Sequence, residues 1–272
     1  MKNLLILKVV ILSLVFSSCE KEEEMIQDPA TARVQVIHNS ADQAASSVDI
    51  YLNDALLLDD FSFRTASPFI NAPAGEEFTI SIAPSTSMSV SQALVSYNYT
   101  LEESGTYILI ANGLISQTGY SPLKNFSIEV YAAGREAANS DSNTDLLVFH
   151  GATDAPTVDV VETGVGAGTI VDNASYNDFT NYLELGTLDY VLEIRDQSGQ
   201  TTVASYDAPL SSLGLMGSAA VVVASGFLNP ANNSNGESFG LFVALPSGGD
   251  LVALPASKSA ISEENKINTP EY

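Results

Sequence analysis

His38 and His150 are the only histidines in the 272-residue chain. Both sit at the same place in a stretch that occurs twice, 150 − 38 = 112 residues apart. The first copy of the stretch runs Arg33-Val-Gln-Val-Ile-His-Asn-Ser-Ala-Asp42 and resumes at Val48-Asp49-Ile50-Tyr51. The second runs Leu147-Val-Phe-His-Gly-Ala-Thr-Asp-Ala-Pro156 and resumes at Val158-Asp159-Val160. An imidazole with aspartates close by could move a proton or hold a cation. The candidate polar site is therefore His38 with Asp42 and Asp49, repeated as His150 with Asp154 and Asp159. A zinc site needs three or four converging ligands, and one histidine per copy with scattered aspartates falls short, so no metal and no cofactor are expected. A histidine closing a strand is more often structural, with its N–H groups bonded to loop carbonyls or to an aspartate.

Other matches are weaker. Calcium takes six to eight oxygens; Asp59-Asp60 and Glu102-Glu103 are acidic pairs, but no Asp-x-Asp-x-Asp-Gly loop exists. Gly236-Glu-Ser-Phe-Gly240 has the spacing of a nucleophile elbow, yet a strand follows it and no histidine lies beyond His150 to activate the serine. No catalytic residue is expected. Gly164-Val-Gly-Ala-Gly168 has the look of a phosphate loop without the Lys-Ser/Thr and the helix such a loop needs, and reads as a hairpin tip. Tyr51, Tyr97 and Tyr99 could form an exposed platform for sugar or peptide, although a chain with no tryptophan is poorly equipped for carbohydrate.

The elements that must carry these residues are strands. Val34, Val36 and His38 alternate with Arg33, Gln35 and Ile37, and the same period of two recurs at Val48–Asn53 and Phe78–Ile82. A strand is also expected within Val90–Tyr99. Short strands every 8–12 residues with no helical period predict an antiparallel sandwich. Gly75 and Gly186, Gly113 and Gly226, and Phe126 and Phe239 keep nearly the histidine offset. A period this long means two homologous domains in tandem, each of roughly 110 residues, near the usual domain size. The fold expected is all-β, two tandem antiparallel immunoglobulin-like β-sandwiches. They span residues 32–133 and 145–256, joined by a polar linker at 134–144 and followed by a disordered tail at 257–272.

The ends give an address. Residues 1–18 have a positive start at Lys2 and Lys8 and an apolar run too short to span a membrane, which fits a secretory signal. The signal ends at Phe16-Ser17-Ser18-Cys19, which resembles a bacterial lipobox, and Cys19 is the chain's single cysteine. No intrachain disulfide is possible. Residues 19–31 then form an acidic tether, in which Glu20, Lys21, Glu22 and Glu23 resemble the surface-export tag of Bacteroidetes lipoproteins. The expected location is the outer membrane through a lipid anchor, displayed at the cell surface, with the periplasmic face as the alternative. After loss of the signal, 8 basic residues face 33 acidic ones, a net charge near −25. Such a surface repels phosphate, which argues against nucleic acid as a partner.

The repeated segment, a strand ending in His, a loop with Asp154-Ala155-Pro156, then Val-Asp-Val or Val-Asp-Ile-Tyr, resembles the bacterial family known as domain of unknown function 4397 (DUF4397). Pro73-Ala74-Gly75 and Gly105-Thr106-Tyr107 also fit. The first copy departs from the pattern at Asp42-Gln-Ala-Ala-Ser-Ser47, and the second has Leu185-Gly186 where Pro-Ala-Gly is expected. The resemblance implies exported proteins with immunoglobulin-like sandwiches and carries over no catalytic residue. The function expected is a non-enzymatic binding or interaction lipoprotein of unknown protein or glycan ligand. The alternatives are a glycan-binding accessory of a polysaccharide-uptake system and, more remotely, a hydrolase.

Overall fold

The computed structural model of the chain describes residues 29–258. Cys19, the acidic residues after it and most of the C-terminal tail lie outside the described residues. Strands of the first half are β1 (Thr31–His38), β2 (Ser47–Leu52), β3 (Ala55–Ser62), β4 (Thr65–Ala66), β5 (Ile70–Pro73), β6 (Glu77–Pro84), β7 (Val95–Thr100), β8 (Thr106–Asn112) and β9 (Ser127–Tyr131). Those of the second are β10 (Asn143–His150), β11 (Val158–Glu162), β12 (Gly168–Ala174), β13 (Leu183–Gly186), β14 (Asp189–Asp196), β15 (Thr202–Pro209), β16 (Ala219–Ser225), β17 (Gly240–Ala244), β18 (Gly249–Asp250) and β19 (Val252–Ala253).

The two halves replay one topology. One sheet has the order β3-β2-β6-β7 in the first half and β12-β11-β14-β15 in the second. The other is built on β1-β8-β9 and on β10-β16-β17. β1 runs parallel to β8, and β10 parallel to β16, so each otherwise antiparallel sandwich contains one parallel pair. The strand expected within Val90–Tyr99 is β7, which begins only at Val95; Val90–Gln92 is a turn of 3-10 helix.

Each sandwich closes its own core. Val36, Val48, Ile50, Phe78 and Leu109 meet in the first, and Val160, Leu192, Ile194, Val222 and Leu241 in the second. A third core lies between the halves, where Ile37, Ile108 and Ile110 of the first pack on Leu147, Phe149, Val221 and Val223 of the second. The layers are therefore four sheets deep. The two middle sheets are buried on both faces, which is why β16 is apolar or small at every position and fully buried.

The contact between halves is reciprocal. Arg64 and Asn177 are equivalent residues, since each donates its backbone N–H to the carbonyl of its own copy's histidine. Across the contact, Arg64 donates to Ser225 Oγ at 3.1 Å and Asn177 accepts from Asn112 at 2.7 Å. Asn112 and Ser225 are themselves equivalent, the last residues of β8 and β16. Each half also sends chain onto the other: β18 pairs with β4, and Ala138 N–H bonds Gly217 O. The start of residues 134–144 is tied to both halves, to the first by Arg33–Glu136 at 2.8 Å and to the second by Arg135, whose guanidinium bonds the fully buried carboxylate of Asp145 and also Glu184.

Gly113 and Gly226 mark the same turn, both with φ of +83°. A side chain at either would strike the carbonyl of Asn125 or of Ser238. Gly75 and Gly186 are not equivalent. Pairing of Thr31 with Pro73 and of Asn143 with Gly186 sets Gly186 opposite Pro73 in the alignment.

Candidate functional site

The repeated histidines close the middle sheets, and both are buried. His38 Nε2 lies 2.7 Å from Ala45 O, and Nδ1 accepts from Ser40 N–H, so the hydrogen-bond pattern puts the proton on Nε2. Burial away from any carboxylate pushes its pKa down to about 4, against a smaller upward pull from the Ala45 carbonyl. Phe61 stacks on the ring at 6.1 Å and Phe63 meets it edge-on at 6.2 Å. His150 repeats the outer bond, Nε2 to Pro156 O at 3.0 Å, but its Nδ1 has no partner. Burial lowers its pKa too, opposed by Pro156 O and the Asp178 charge.

Asp42 and Asp154 do not face the imidazoles. Asp42 accepts from Ala44 N, Ser116 N, Ser116 Oγ and Tyr120 OH. Burial works to raise its pKa, and the bonds from Ser116, Ala44 and Tyr120 outweigh that, holding it below the usual carboxylate range. Asp154 accepts from Leu228 N, Asn229 N and Asn233 Nδ2. In both copies this aspartate ties the loop after the histidine strand to the loop after the parallel strand.

Asp49 and Asp159 serve the outer sheets. The β2–β3 and β11–β12 ladders each slip by a residue beside the Val-Asp motif. Asp60 and Asn173 at the slip have φ of +50° and +53°. Asp49 Oδ1 accepts from Asp60 N at 3.1 Å, and Asp159 Oδ1 from Asn173 N at 2.7 Å, giving the bulged backbone a partner. Asp49 Oδ2 also accepts from Ser87 Oγ. The six residues therefore form three repeated fixtures, and no histidine–aspartate pair converges. Asp49, Asp59 and Asp60 do bring carboxylate oxygens within 4.8 Å of one another. Asp59 is fully exposed, and its pKa is raised by local desolvation first and then by the Asp49 and Asp60 charges.

One other reading changes with the structure. Tyr51 is buried, with its hydroxyl on Ser87 Oγ at 2.9 Å. Tyr97 and Tyr99 cross the first core to donate to Phe126 O and Ile128 O. They form no platform. The Gly164–Gly168 loop does gather N–H groups around an anion, which is its own neighbour: Glu162 accepts from Gly164, Val165, Ala167 and Val191 N–H. Burial would raise the Glu162 pKa, but those four donors lower it. Ser238 of the Gly-x-Ser-x-Gly segment gives its carbonyl to Arg64.

The residues that sequence reasoning missed are Ser87, Ser116, Tyr120, Asn233 and Glu162. All but Glu162 act across separations of 38 to 79 residues, for which a single sequence gives no sign.

A family model described as "Domain of unknown function (DUF4397)" matches residues 32–136, the first copy and the start of the connection. No curated protein matches. Among solved structures, family 41 carbohydrate-binding modules from streptococcal virulence factors, described as recognising alpha-glucan, are 10% identical with a TM-score of 0.22, over 71% of this chain and 93% of that one. A candidate adhesin from Bacteroides ovatus is 11% identical with a TM-score of 0.22, over 84% of this chain and 95% of that one. Likeness at this level carries no argument about ligand.

Proposed function

We propose that the chain is a membrane-anchored, non-enzymatic cell-envelope lipoprotein whose two sandwiches, both of the DUF4397 type, act as a binding or interaction module. The observation that carries the reading is the lipobox-like Phe16-Ser17-Ser18-Cys19 and its acidic successor, set a dozen residues ahead of a duplicated sandwich. Three acyl chains on Cys19, at about 0.8 kcal/mol per buried methylene, would hold the protein on a membrane almost permanently. The loops that close the sandwiches are where recognition is usually placed on such scaffolds. The glycan-accessory reading loses its main support, since Tyr51 is buried and the half-buried Tyr97 and Tyr99 turn their hydroxyls to Phe126 O and Ile128 O. Chemistry at the histidines has little support, since each of the six candidate residues is engaged in holding a loop or a bulge.

The test is fractionation. The wild-type chain is expected in the outer-membrane fraction and Cys19→Ala in the soluble one. Protease added to intact cells should remove the protein if it is surface-displayed. A C19A variant that stays with the membrane would sink the anchor, and digestion only after lysis would move the protein to the periplasmic face.

A further inference from the structure

The two copies finish their outer sheets differently. In the second, the sheet ends on β15, and the chain returns to cover that edge. Asp207 N–H bonds Pro255 O, Ser257 N–H bonds Ser205 O, and Tyr206 bridges Ala256 antiparallel. In the first, the outer sheet ends on β7. The registers set Ser96 and Asn98 of β7 in the places of Ser205 and Asp207. Thr79 of β6 turns its backbone groups toward β2, exchanging bonds with Asn53. Successive residues of a strand turn them to opposite sides, so Phe78 and Ile80 bond Tyr99 and Tyr97, and the groups of Ser96, Asn98 and Thr100 point outward. Among the described residues, nothing bonds them there.

The other two outer-sheet edges are guarded. β3 carries Asp59, Asp60 and a register slip, and β12 carries Asp172 and a slip. Charges and bulges of this kind stop an edge from pairing with another chain. β7, Val-Ser-Tyr-Asn-Tyr-Thr, has no charge, no proline and no slip.

The same residues say which strand fits. A two-fold axis at Asn98 sets Asn98 opposite its own copy, Ser96 opposite Thr100, and Tyr97 opposite Tyr99 on the core side. Hydroxyl and aromatic pairs at these places favour pairing, and no like charges stand opposite each other. Glu102 and Glu103 follow the Thr100 end of the strand, and the axis sends those of the two copies to opposite ends of the joint. Even Thr100 and its symmetry mate stand about 14 Å apart along the strands, beyond the screening length of about 8 Å at physiological salt. We propose that β7 is a self-association edge, where two copies of the chain join their four-stranded outer sheets into one continuous sheet across a two-fold axis at Asn98. This rests on the reading of the chain as an interaction module and names its partner. It does not rest on the anchor, which fractionation tests separately.

Disulfide trapping in the full chain tests the joint. Asn98→Cys places a thiol on the axis, where paired Cα atoms stand about 5.5 Å apart, within disulfide reach. Mild oxidation should give a covalent dimer on a non-reducing gel. Asp59→Cys, on the guarded and exposed edge, should stay monomeric, and the wild type sets any background from Cys19. Adding Ser96→Pro to Asn98→Cys removes an outward N–H and leaves the β6 ladder whole. Dimer formation should slow about tenfold, the worth of the backbone bonds lost on both sides of the axis. If that chain does not fold, Thr100→Pro removes the matching N–H at the strand end. No dimer from N98C, equal trapping of D59C, trapping onto a different protein, or indifference to the proline would each overturn the assignment.

Discussion

Lowering the pH from 7.5 to 4 should cost this protein about 3 kcal/mol of stability through His38 alone. The folded-state pKa is depressed from the ordinary 6.5 to about 4 because the ring is wholly buried with no anion beside it. Unfolded chains take up a proton near pH 6.5, whereas the folded chain waits until about 4, so protons favour unfolding throughout that window. Each pH unit is worth about 1.4 kcal/mol, which over the gap gives about 3 kcal/mol. The loss begins as pH falls through 6.5 and levels off below 4. His150 is shifted in the same direction and adds to the loss. Relief of self-repulsion in so acidic a chain works the other way, so the readout must be a difference between variants. His38→Gln keeps an amide donor for Ala45 O and removes the titration. Denaturant unfolding at pH 7.5 and pH 4 should show the wild type losing about 3 kcal/mol more than H38Q. Equal losses would refute the claim that the buried neutral imidazole governs this window. Asp42 and Glu162, with depressed pKa values, keep their contribution until the pH falls below the ordinary carboxylate range, so their loss comes at more acid pH.

Phe61→Ala removes the ring that fills the first core beside His38 and should destabilise by about 3–5 kcal/mol in chemical denaturation. Arg135→Ala strips the fully buried Asp145 carboxylate of its cation. The cost should be about 3 kcal/mol, near the low end for a broken buried pair because Arg135 itself is 28% exposed. Glu162→Ala leaves three loop N–H groups and that of Val191 in β14 without this acceptor. A loss of about 1–3 kcal/mol is expected, with amide exchange speeding up at Gly164, Val165, Ala167 and Val191 while the β16 amides keep their protection.

The amino-acid sequence by itself determined the duplication and the strands. His38 and His150, Gly113 and Gly226, and Phe126 and Phe239 recur because each copy needs the same strand end, the same left-handed turn and the same core ring. Alternation at Val34–His38 and Phe78–Ile82 was enough to mark strands, since Val34 and Val36, like Phe78, Ile80 and Ile82, set one face of their strand into the first core. The Pro73-Ala74-Gly75 turn was legible for the same local reason, with Gly75 at φ +78°.

Only the tertiary structure decided what the repeated polar residues do and what lies between the copies. Asp42 looked free to serve His38, but its partners Ser116 and Tyr120 are 74 and 78 residues further on. The apolar run Ala219–Ser225 announces burial on both faces, yet nothing in it says that one of those faces meets Ile108 and Ile110 of the other copy. Local sequence fixes conformation through backbone sterics and burial period, whereas the choice of partner is made by packing between segments that the chain keeps far apart.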